Sequence, residues 1–399
     1  MKKLWQKDNT KLNEFIEVFE TKDDLLLDQK LVKYDIEGSF AHAKMLFKIG
    51  ILTEEELSKL EMGLKEILEL DKKGNFKLQV GDEDIHTKIE NYLTEKYGEV
   101  GKKIHTGRSR NDQVLTAIRL LSKDKLVEIQ KQLLGLIQCF QLFSKKFGQI
   151  PMPGYTHMQK AMPSSLKLWS ESFKDSLLDD FDLIKAVYKL NNQSPLGSAA
   201  GYGTSLNLDK EYSAKQMGFA KVQNNFLYCQ NSRGKIEASL LAGLISVLQT
   251  INKFASDILL FTTSEFNYFS VAENLTTGSS IMPQKKNIDL AELLRSKVHI
   301  VLGNYTQIVS LSSNLISGYN RDLQDSKKPL IESLEITLDS IKVTRILLEN
   351  LTPNEKVLKN SMTEELYAAE KAYELVREGM SFRDAYIEVK GGEKNEIKK

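Results

Sequence analysis

The sequence predicts an all-α protein with a long central helical bundle and small amino- and carboxyl-terminal domains. Apolar residues recur at three- and four-residue steps through the long proline-free stretch 114–140, which is the spacing of one face of a helix. The same spacing returns in four later stretches, at residues 166–188, 236–259, 290–308 and 330–347. Helices of this length, with polar residues between their apolar rows, pack best as a bundle.

Two loop-like runs predict three domains along the chain. The run 101–107, with a glycine at each end, precedes the first long helix, and Thr352-Pro353-Asn354 follows the last one; such residues commonly separate structural elements. We therefore expect a mixed, mostly helical domain over residues 1–108, the bundle over 109–353 and a small helical domain over 354–399. Thr53 and Glu56 predict a capping box at a helix start, and Gly379 predicts a helix end.

The composition excludes several classes of protein. The 399 residues carry 55 Lys and Arg against 54 Asp and Glu, a net charge of +1, so no basic field is present to concentrate nucleic acid. The polar, lysine-rich first residues lead into no apolar signal core, and no later stretch has the uninterrupted apolar run that spans a bilayer. Two isolated cysteines fit free thiols in a reducing compartment, and five scattered histidines lack metal-ligand spacing. We expect a cytoplasmic protein that binds no metal, membrane or nucleic acid.

The segment 278–287, Gly-Ser-Ser-Ile-Met-Pro-Gln-Lys-Lys-Asn, is the clearest candidate for chemistry. An ordinary flexible loop between two helices is the simplest explanation of its glycine and serines. However, it places two hydroxyls, two ammonium groups and an amide within ten residues and then opens a helix near Asp289. The free N–H groups and dipole at such a helix start favour an anion. We favour a functional loop.

Two further polar runs stand out from the helical background. The run 105–113, His-Thr-Gly-Arg-Ser-Arg-Asn-Asp-Gln, directly precedes the first long helix; a helix cap at Asn111 or Asp112 explains one of its residues, not nine. The run 151–159 ends in Tyr-Thr-His-Met-Gln, and from composition alone His157 near a helix start is a surface or capping residue.

These three runs resemble the signatures of the argininosuccinate lyase family, within the fumarase and aspartase superfamily. Weaker matches follow in family order at 34–39 with His42, at 82–86, at 194–198 and at 319–324 with Lys327. The resemblance extends from about Asp28 to the helix containing residues 382–386. It implies elimination of arginine from argininosuccinate to leave fumarate, with no cofactor, in a homotetramer whose active sites are shared between subunits.

The resemblance also implies residue roles. Ser279 would remove the carbon-bound proton, with its alkoxide stabilised by the positive potential of a water-excluding loop. Lys285 and Asn287 would stabilise the charge that develops on the substrate carboxylate. His157, steered by Glu292, would assist the departing nitrogen. The implied substrate-binding residues are Ser109, Arg110, Asn111, Thr156, Asp84, His86, Tyr319, Gln324 and Lys327, because side chains of this kind can hold the carboxylates and polar groups of the substrate.

Three positions depart from the family pattern. Asp24 stands where a substrate-facing serine is common, Ile288 replaces a usual proline, and Gln6-Lys7 replaces the start of a Gly-Gly-Arg-Phe run.

Two alternative functions are considered. The protein could be another lyase of the superfamily, such as an aspartase, fumarase or adenylosuccinate lyase, or it could be a non-catalytic structural homologue. The runs 105–113 and 284–286 argue against the other lyases, and the intact Ser279 and His157 argue against the structural homologue.

Overall fold

The computed structural model describes residues 13–79 and 82–396, and helix dominates them. Residues 6 and 7, where the sequence departs from the family, lie outside the described residues. The helices, in chain order, are α1 Glu14–Gln29, α2 Val32–Lys48, α3 Glu54–Lys72, α4 Ile85–Tyr97, α5 Glu99–Lys102, α6 Arg110–Phe147, α7 Leu166–Asn191, α8 Lys210–Gln216, α9 Phe226–Asn231, α10 Lys235–Phe261, α11 Asp289–Ser312, α12 Lys327–Glu349, α13 Glu355–Asn360, α14 Ala368–Arg377 and α15 Phe382–Glu396.

The predicted all-α fold class is confirmed. All five stretches with helical spacing form long helices, namely α6, α7, α10, α11 and α12. The predicted capping box is present at α3, where the Thr53 hydroxyl accepts from the Glu56 N–H and the Glu56 carboxylate accepts from the Thr53 N–H. Gly379 follows the end of α14 with φ +104°, a left-handed conformation that glycine adopts without strain.

The described residues also form three short two-stranded sheets, which the sequence did not predict. The strands β1 Pro151–Thr156 and β2 Gln159–Ser165 form an antiparallel hairpin, β3 Gln193–Ser194 pairs in parallel with β4 Lys221–Val222, and β5 Phe269–Val271 pairs antiparallel with β6 Leu351–Pro353. Prolines in β1 and β2 obscure the strand pattern in the sequence. A two-stranded ribbon tolerates them because each of its strands is an edge strand.

The chain divides into two compact units. The first comprises residues 1–130, 183–245 and 299–336, and the second comprises 131–182, 246–298 and 337–399. The predicted three-domain division at 108 and 353 remains a prediction. The first unit has an aliphatic core from α2, α3 and α4, formed by Val32, Ile36, Leu46, Leu60, Leu64, Ile67, Ile85, Ile89 and Leu93. The second is organised around packed aromatic rings of Phe140, Phe143, Trp169, Phe173, Phe254 and Phe269.

Helix α10 is the most apolar element of the molecule. Contrary to the sequence analysis, its length and hydropathy would allow it to cross a membrane. Most of its large apolar side chains are nevertheless buried within the protein, among them Leu240, Leu241, Leu244, Val247, Leu248, Ile251 and Ile258. Both cysteines, Cys139 and Cys229, are buried free thiols, as predicted.

Candidate active site

The start of α6 is fixed by the buried carboxylate of Asp112. One oxygen accepts from the Ser109 N–H at 2.9 Å, and the other accepts from the N–H groups of Gly197 and Ala199 at 3.0 and 2.9 Å. Burial raises the pKa of Asp112 to about 6, although these three donors favour the charged form. The carboxylate therefore ties the predicted binding run 109–111 to the loop that follows β3.

A cavity of about 190 Å³ lies beside this helix start in the first unit. At about 30 Å³ per water, it has room for several waters or a small polar group. Its lining includes five predicted substrate-binding residues from three separated parts of the chain, namely Asp84, Arg110, Asn111, Tyr319 and Gln324. The lining also includes Asp24, Asp28, Glu83, Arg233 and Arg321, so the cavity carries both carboxylates and guanidinium groups.

Arg110 is already engaged by protein carboxylates. Its guanidinium forms an ion pair with Glu83, approaches Asp84 at 3.3 Å and donates to the Thr87 hydroxyl at 3.0 Å. Asp84 in turn caps α4 by accepting from the Thr87 N–H at 2.7 Å. A guanidinium held by several partners has a fixed orientation. Arg110 is thus a positioned cation at the cavity wall rather than a mobile surface arginine.

Lys327 is buried behind the cavity wall. Only 1% of its side chain is exposed, and its ammonium contacts Asp24 at 2.5 Å and Asp28 at 2.7 Å. Burial alone lowers the pKa of Lys327, but the two carboxylates outweigh it and the pKa is raised. For the acidic Asp24, burial raises the pKa, although the nearby Lys327 acts to lower it. The residue that replaces the usual serine therefore pairs with a lysine predicted to bind substrate.

His86 takes a different position from the other predicted binding residues. It is buried, it does not line the cavity, and its Nδ1 lies 2.7 Å from a carboxylate oxygen of Asp35. Burial lowers the pKa of His86, but Asp35 more than compensates and raises it. Its Nε2 has no hydrogen-bond partner among the described residues. His86, which follows Ile85 in α4, is therefore held by Asp35 and does not lie at the cavity surface.

Arg233 lines the cavity and was missed by the sequence analysis. It is 2% exposed, it donates to Gln324 Oε1 at 2.7 Å, and it lies 5.7 Å from the ring centre of Tyr319. One feature of the sequence could have identified Arg233 as a candidate. It belongs to the polar run Asn231-Ser232-Arg233-Gly234, which directly precedes the long helix α10. The two signature runs at 105–113 and 278–287 also precede long helices.

His157 lies at the tip of the β1–β2 hairpin in the second unit, and not near a helix start. His157 and Met158 form the two-residue turn with φ +50° and +62°. A turn with two positive φ angles matches the twist of a hairpin, but it is unusual for residues other than glycine, asparagine and aspartate. Thr156 and His157 are exposed. The Tyr155 hydroxyl lies 2.6 Å from that of Tyr268, which fixes the base of the turn.

The signature loop precedes α11, which begins at Asp289 as expected. Thr277 and Asn287 close it through two backbone hydrogen bonds of 2.9 and 2.8 Å. Inside it, the Ser279 hydroxyl oxygen accepts from the Met282 N–H at 3.2 Å. Lys285 is exposed, so the loop displays its cation to solvent.

The proposed reacting groups do not meet within the second unit. In the part of the chain that the structure describes, no hydrogen bond or ion pair joins Ser279, His157 and Glu292, and Glu292 is exposed on α11. The same described residues contain no group of three His, Cys, Asp or Glu side chains placed to hold a metal ion. The roles of these residues stay predictions.

Comparison with known proteins identifies the family. A family model described as lyase matches residues 11–303. An argininosuccinate lyase of Thermotoga neapolitana is 46% identical over 384 residues, which are 96% of this chain and 96% of the relative. The chain belongs to the argininosuccinate lyase family. A second family member, from Parabacteroides distasonis, is 38% identical over 387 residues, covering 97% of this chain and 86% of the relative.

Solved structures agree with this argininosuccinate lyase assignment at the level of fold. An EDDS lyase in complex with formate superposes with a TM-score of 0.83 at 24% identity, covering 98% of this chain and 77% of that one. The native form of a fumarate lyase:delta crystallin from Brucella melitensis gives 0.77 at 18% identity, covering 95% and 92%. Membership in the argininosuccinate lyase family makes the chain a lyase of the fumarase and aspartase superfamily.

Proposed function

We propose that this protein cleaves argininosuccinate into arginine and fumarate. The cavity of the first unit carries the proposal, because it gathers Asp84, Arg110, Asn111, Tyr319 and Gln324 around one polar space. Argininosuccinate carries carboxylates, an ammonium and a guanidinium, and a cavity lined by both signs of charge complements such a molecule. The full-length relatives that bear the name argininosuccinate lyase support the same substrate.

The reaction is an elimination that begins at carbon. A base removes a proton from the carbon next to a substrate carboxylate, and negative charge then accumulates on that carboxylate. The carbon–nitrogen bond breaks, the departing nitrogen takes a proton, and the electron pair left on carbon forms the double bond of fumarate. Because the first proton is very weakly acidic, donors and cations must already surround the carboxylate.

We assign proton removal to Ser279 and charge stabilisation to Lys285 and Asn287. The Ser279 oxygen already accepts from the Met282 N–H, and a hydrogen bond to the charged form of a group stabilises that form. The helix α11 starts two residues after Asn287, so its amino-terminal dipole adds positive potential. Exclusion of water from the loop is required as well, since an alkoxide is otherwise too unstable.

We assign assistance of the departing nitrogen to His157, with Glu292 and Thr156 as its supporting groups. The histidine is held at an exposed hairpin tip whose base is fixed by Tyr155 and Tyr268. An imidazole can donate and accept protons near neutral pH. At the exposed hairpin tip, the His157 side chain can enter an active site that is formed together with another copy of the chain.

We propose a homotetramer in which different copies contribute the cavity, the hairpin and the signature loop to each active site. His157, Glu292 and Lys285 are exposed and have no ion-pair partner among the described residues, which supports shared sites. The long helices also expose large apolar side chains, among them Leu134, Leu142, Leu168, Leu178, Leu293 and Leu302, and exposed apolar side chains can be covered at interfaces between copies. The neutral net charge and the two buried free thiols support a cytoplasmic location.

The test is to incubate the purified full-length protein separately with argininosuccinate, aspartate, malate and adenylosuccinate and to measure fumarate. We expect fumarate only from argininosuccinate, with an equal amount of arginine and without added metal or nucleotide. Comparable fumarate from another substrate would move the protein to a different lyase, and none from any substrate would favour a non-catalytic homologue. Light scattering on the eluting protein gives the oligomeric state, and an active monomer would exclude shared sites.

A further inference from the structure

The β1–β2 hairpin that carries His157 is interrupted directly below its tip. Gly154 pairs with Met162. The next residue, Tyr155, pairs with Lys160, so the register shifts between the two pairs. A bulge of this kind disrupts the ladder of backbone hydrogen bonds and increases the local twist. The ladder therefore does not by itself fix the direction of the turn that presents His157.

Both members of the pair below the tip are held by other elements of the second unit. The Tyr155 hydroxyl lies 2.6 Å from that of Tyr268, and the Lys160 ammonium donates to the carbonyl of Ser361 at 2.7 Å. The two anchors differ in burial, because Tyr268 is 3% exposed whereas Lys160 is exposed. A hydrogen bond in a buried, low-dielectric place is electrostatically stronger than one in water. Tyr268 is therefore the firmer of the two anchors.

Tyr268 is itself fixed by ring packing and by its backbone. Its ring centre lies 5.6 Å from that of Phe261 and 5.3 Å from that of Phe266, and the Tyr155 ring packs against the same two phenylalanines. Its N–H donates to the Phe261 carbonyl, and its carbonyl accepts from the Asn354 N–H, both at 2.8 Å. Aromatic pairs of this kind stabilise beyond the area they bury. The Tyr268 hydroxyl is thus a well-supported point for the hairpin to bind.

We propose that Tyr268 is a positioning residue for His157: its hydroxyl, through Tyr155, holds the hairpin tip in the direction that the imidazole needs to reach the departing nitrogen. The inference rests on the proposed function, which assigns that step to His157. Tyr155 precedes His157 by only two residues, so a change in its direction moves the imidazole. A misplacement of about 1 Å can cost roughly a hundredfold in rate. Tyr268 itself touches no reacting atom.

The first experiment measures turnover of argininosuccinate by Tyr268→Phe, which removes the hydroxyl and keeps the ring. We expect kcat to fall roughly tenfold and KM to stay nearly constant, the pattern of an interaction that matters only in the transition state. Exchange of the carbon-bound substrate proton with heavy water should persist, because the defect lies in the later step. Tyr155→Phe removes the other partner of the same hydrogen bond and should give the same loss.

The His157→Asn protein separates positioning from a purely structural role. If Tyr268 acts only through the imidazole, adding Tyr268→Phe to His157→Asn should cost no further activity. A hydroxyl that matters only for folding would lower the activity of both proteins by the same factor. Tyr373→Phe is the matched control. It removes a hydroxyl from a ring of the second unit that is 50% exposed and stacks on Phe382, and kcat should be unchanged.

A second experiment needs no active enzyme. Amide hydrogen exchange of residues 151–165, followed by mass spectrometry, should be roughly two- to tenfold faster in Tyr268→Phe than in the unmodified protein or in Tyr373→Phe, because the tip loses its buried anchor. If Tyr268→Phe does not fold, Tyr155→Phe is measured in its place.

Several results would overturn the inference. These are unchanged amide exchange of the hairpin, full kcat in Tyr268→Phe, a rise in KM alone, or an equal further loss of activity when Tyr268→Phe is added to His157→Asn. Failure of the proposed function is separate, because it appears as absence of fumarate from the unmodified protein.

Discussion

Charged groups differ in burial and pairing between the two units. Around the cavity of the first unit they are buried or held by several partners, whereas in the hairpin and the signature loop of the second unit they are exposed. Around the cavity, Lys327 is 1% exposed and paired with two carboxylates, and Arg110 is held by three partners. In the signature loop, Lys286 is 64% exposed and meets a single glutamate that is itself 83% exposed. His157 stands at an exposed turn.

This difference fits the proposed division between binding residues and reacting residues. Buried ion pairs fix the direction of each group before substrate arrives, which reduces the cost of ordering on binding. Of the proposed reacting groups, His157 is exposed and Ser279 is half-buried, so they do not yet have the water-excluding environment that the proposed serine alkoxide requires. Under the proposed function, one chain provides a preorganised cavity for substrate, and its reacting groups depend on further assembly.

The largest effect is expected from Ser279→Ala. If Ser279 removes the carbon-bound proton, the change should lower arginine formation by roughly a thousandfold or more, and exchange of that proton with heavy water should disappear too. Binding of L-arginine should be unchanged, because it depends on the cavity. The measurements are product formation and deuterium incorporation into unreacted argininosuccinate by mass spectrometry.

Ser280→Ala is the matched control for the Ser279 variant. It removes the neighbouring hydroxyl and should have a much smaller effect. Equal losses in the two variants, or loss of L-arginine binding in Ser279→Ala, would contradict the separation of binding from reaction.

Lys327→Ala should have the largest effect on stability. Removing the ammonium leaves Asp24 and Asp28 facing each other without their cation, and breaking a buried pair in this way costs about 3–5 kcal/mol. Chemical denaturation at fixed protein concentration measures the change, since subunit association would otherwise alter the apparent stability. A loss below about 1 kcal/mol would mean that water reaches the pair and that the cavity is not preorganised.

The long helices could be predicted from helical periodicity. The burial and the partners of the site residues could not, because they depend on tertiary contacts. The five helices and the capping box at Thr53 are encoded in local spacing, so the sequence predicts them correctly. The burial of Lys327 depends on Asp28, 299 positions away, and the orientation of Arg233 depends on Gln324, 91 positions away. The local sequence shows neither that these two cations are buried nor which residues they contact.

The hairpin illustrates a second limit of prediction. Pro151, Pro153 and Pro163 remove backbone donors and hide the alternation of a strand, and neither His157 nor Met158 is a usual residue for a turn with two positive φ angles. Family resemblance identified the functional candidate His157, whereas composition favoured a surface or capping residue. Its place at a hairpin tip follows from the pairing of β1 with β2, which the local sequence does not indicate.

His157→Asn should have an intermediate effect. Asparagine tolerates the left-handed conformation better than most residues, so the turn is retained while the proton-transferring ring is lost. If histidine assists only the departing nitrogen, cleavage should fall roughly a hundredfold and proton exchange should persist. Met158→Asn, at the adjacent turn position, is the control that keeps the ring.

The same exchange experiment distinguishes the two assignments. Loss of exchange in His157→Asn together with persistent exchange in Ser279→Ala would show that the base and the leaving-group catalyst have been interchanged.

The smallest effect is expected from Lys286→Ala, the exposed counterpart of Lys327→Ala. Its partner Glu273 is highly exposed, and both side chains must be ordered to form one contact in a solvent of high dielectric constant. Salt screens such a pair further. The denaturation midpoint should therefore be unchanged within error, at low and at high salt, and Glu273→Gln should behave in the same way. A clear decrease that becomes smaller as salt is added would show that this ion pair anchors the signature loop, and the loop would then be as firmly organised as the cavity.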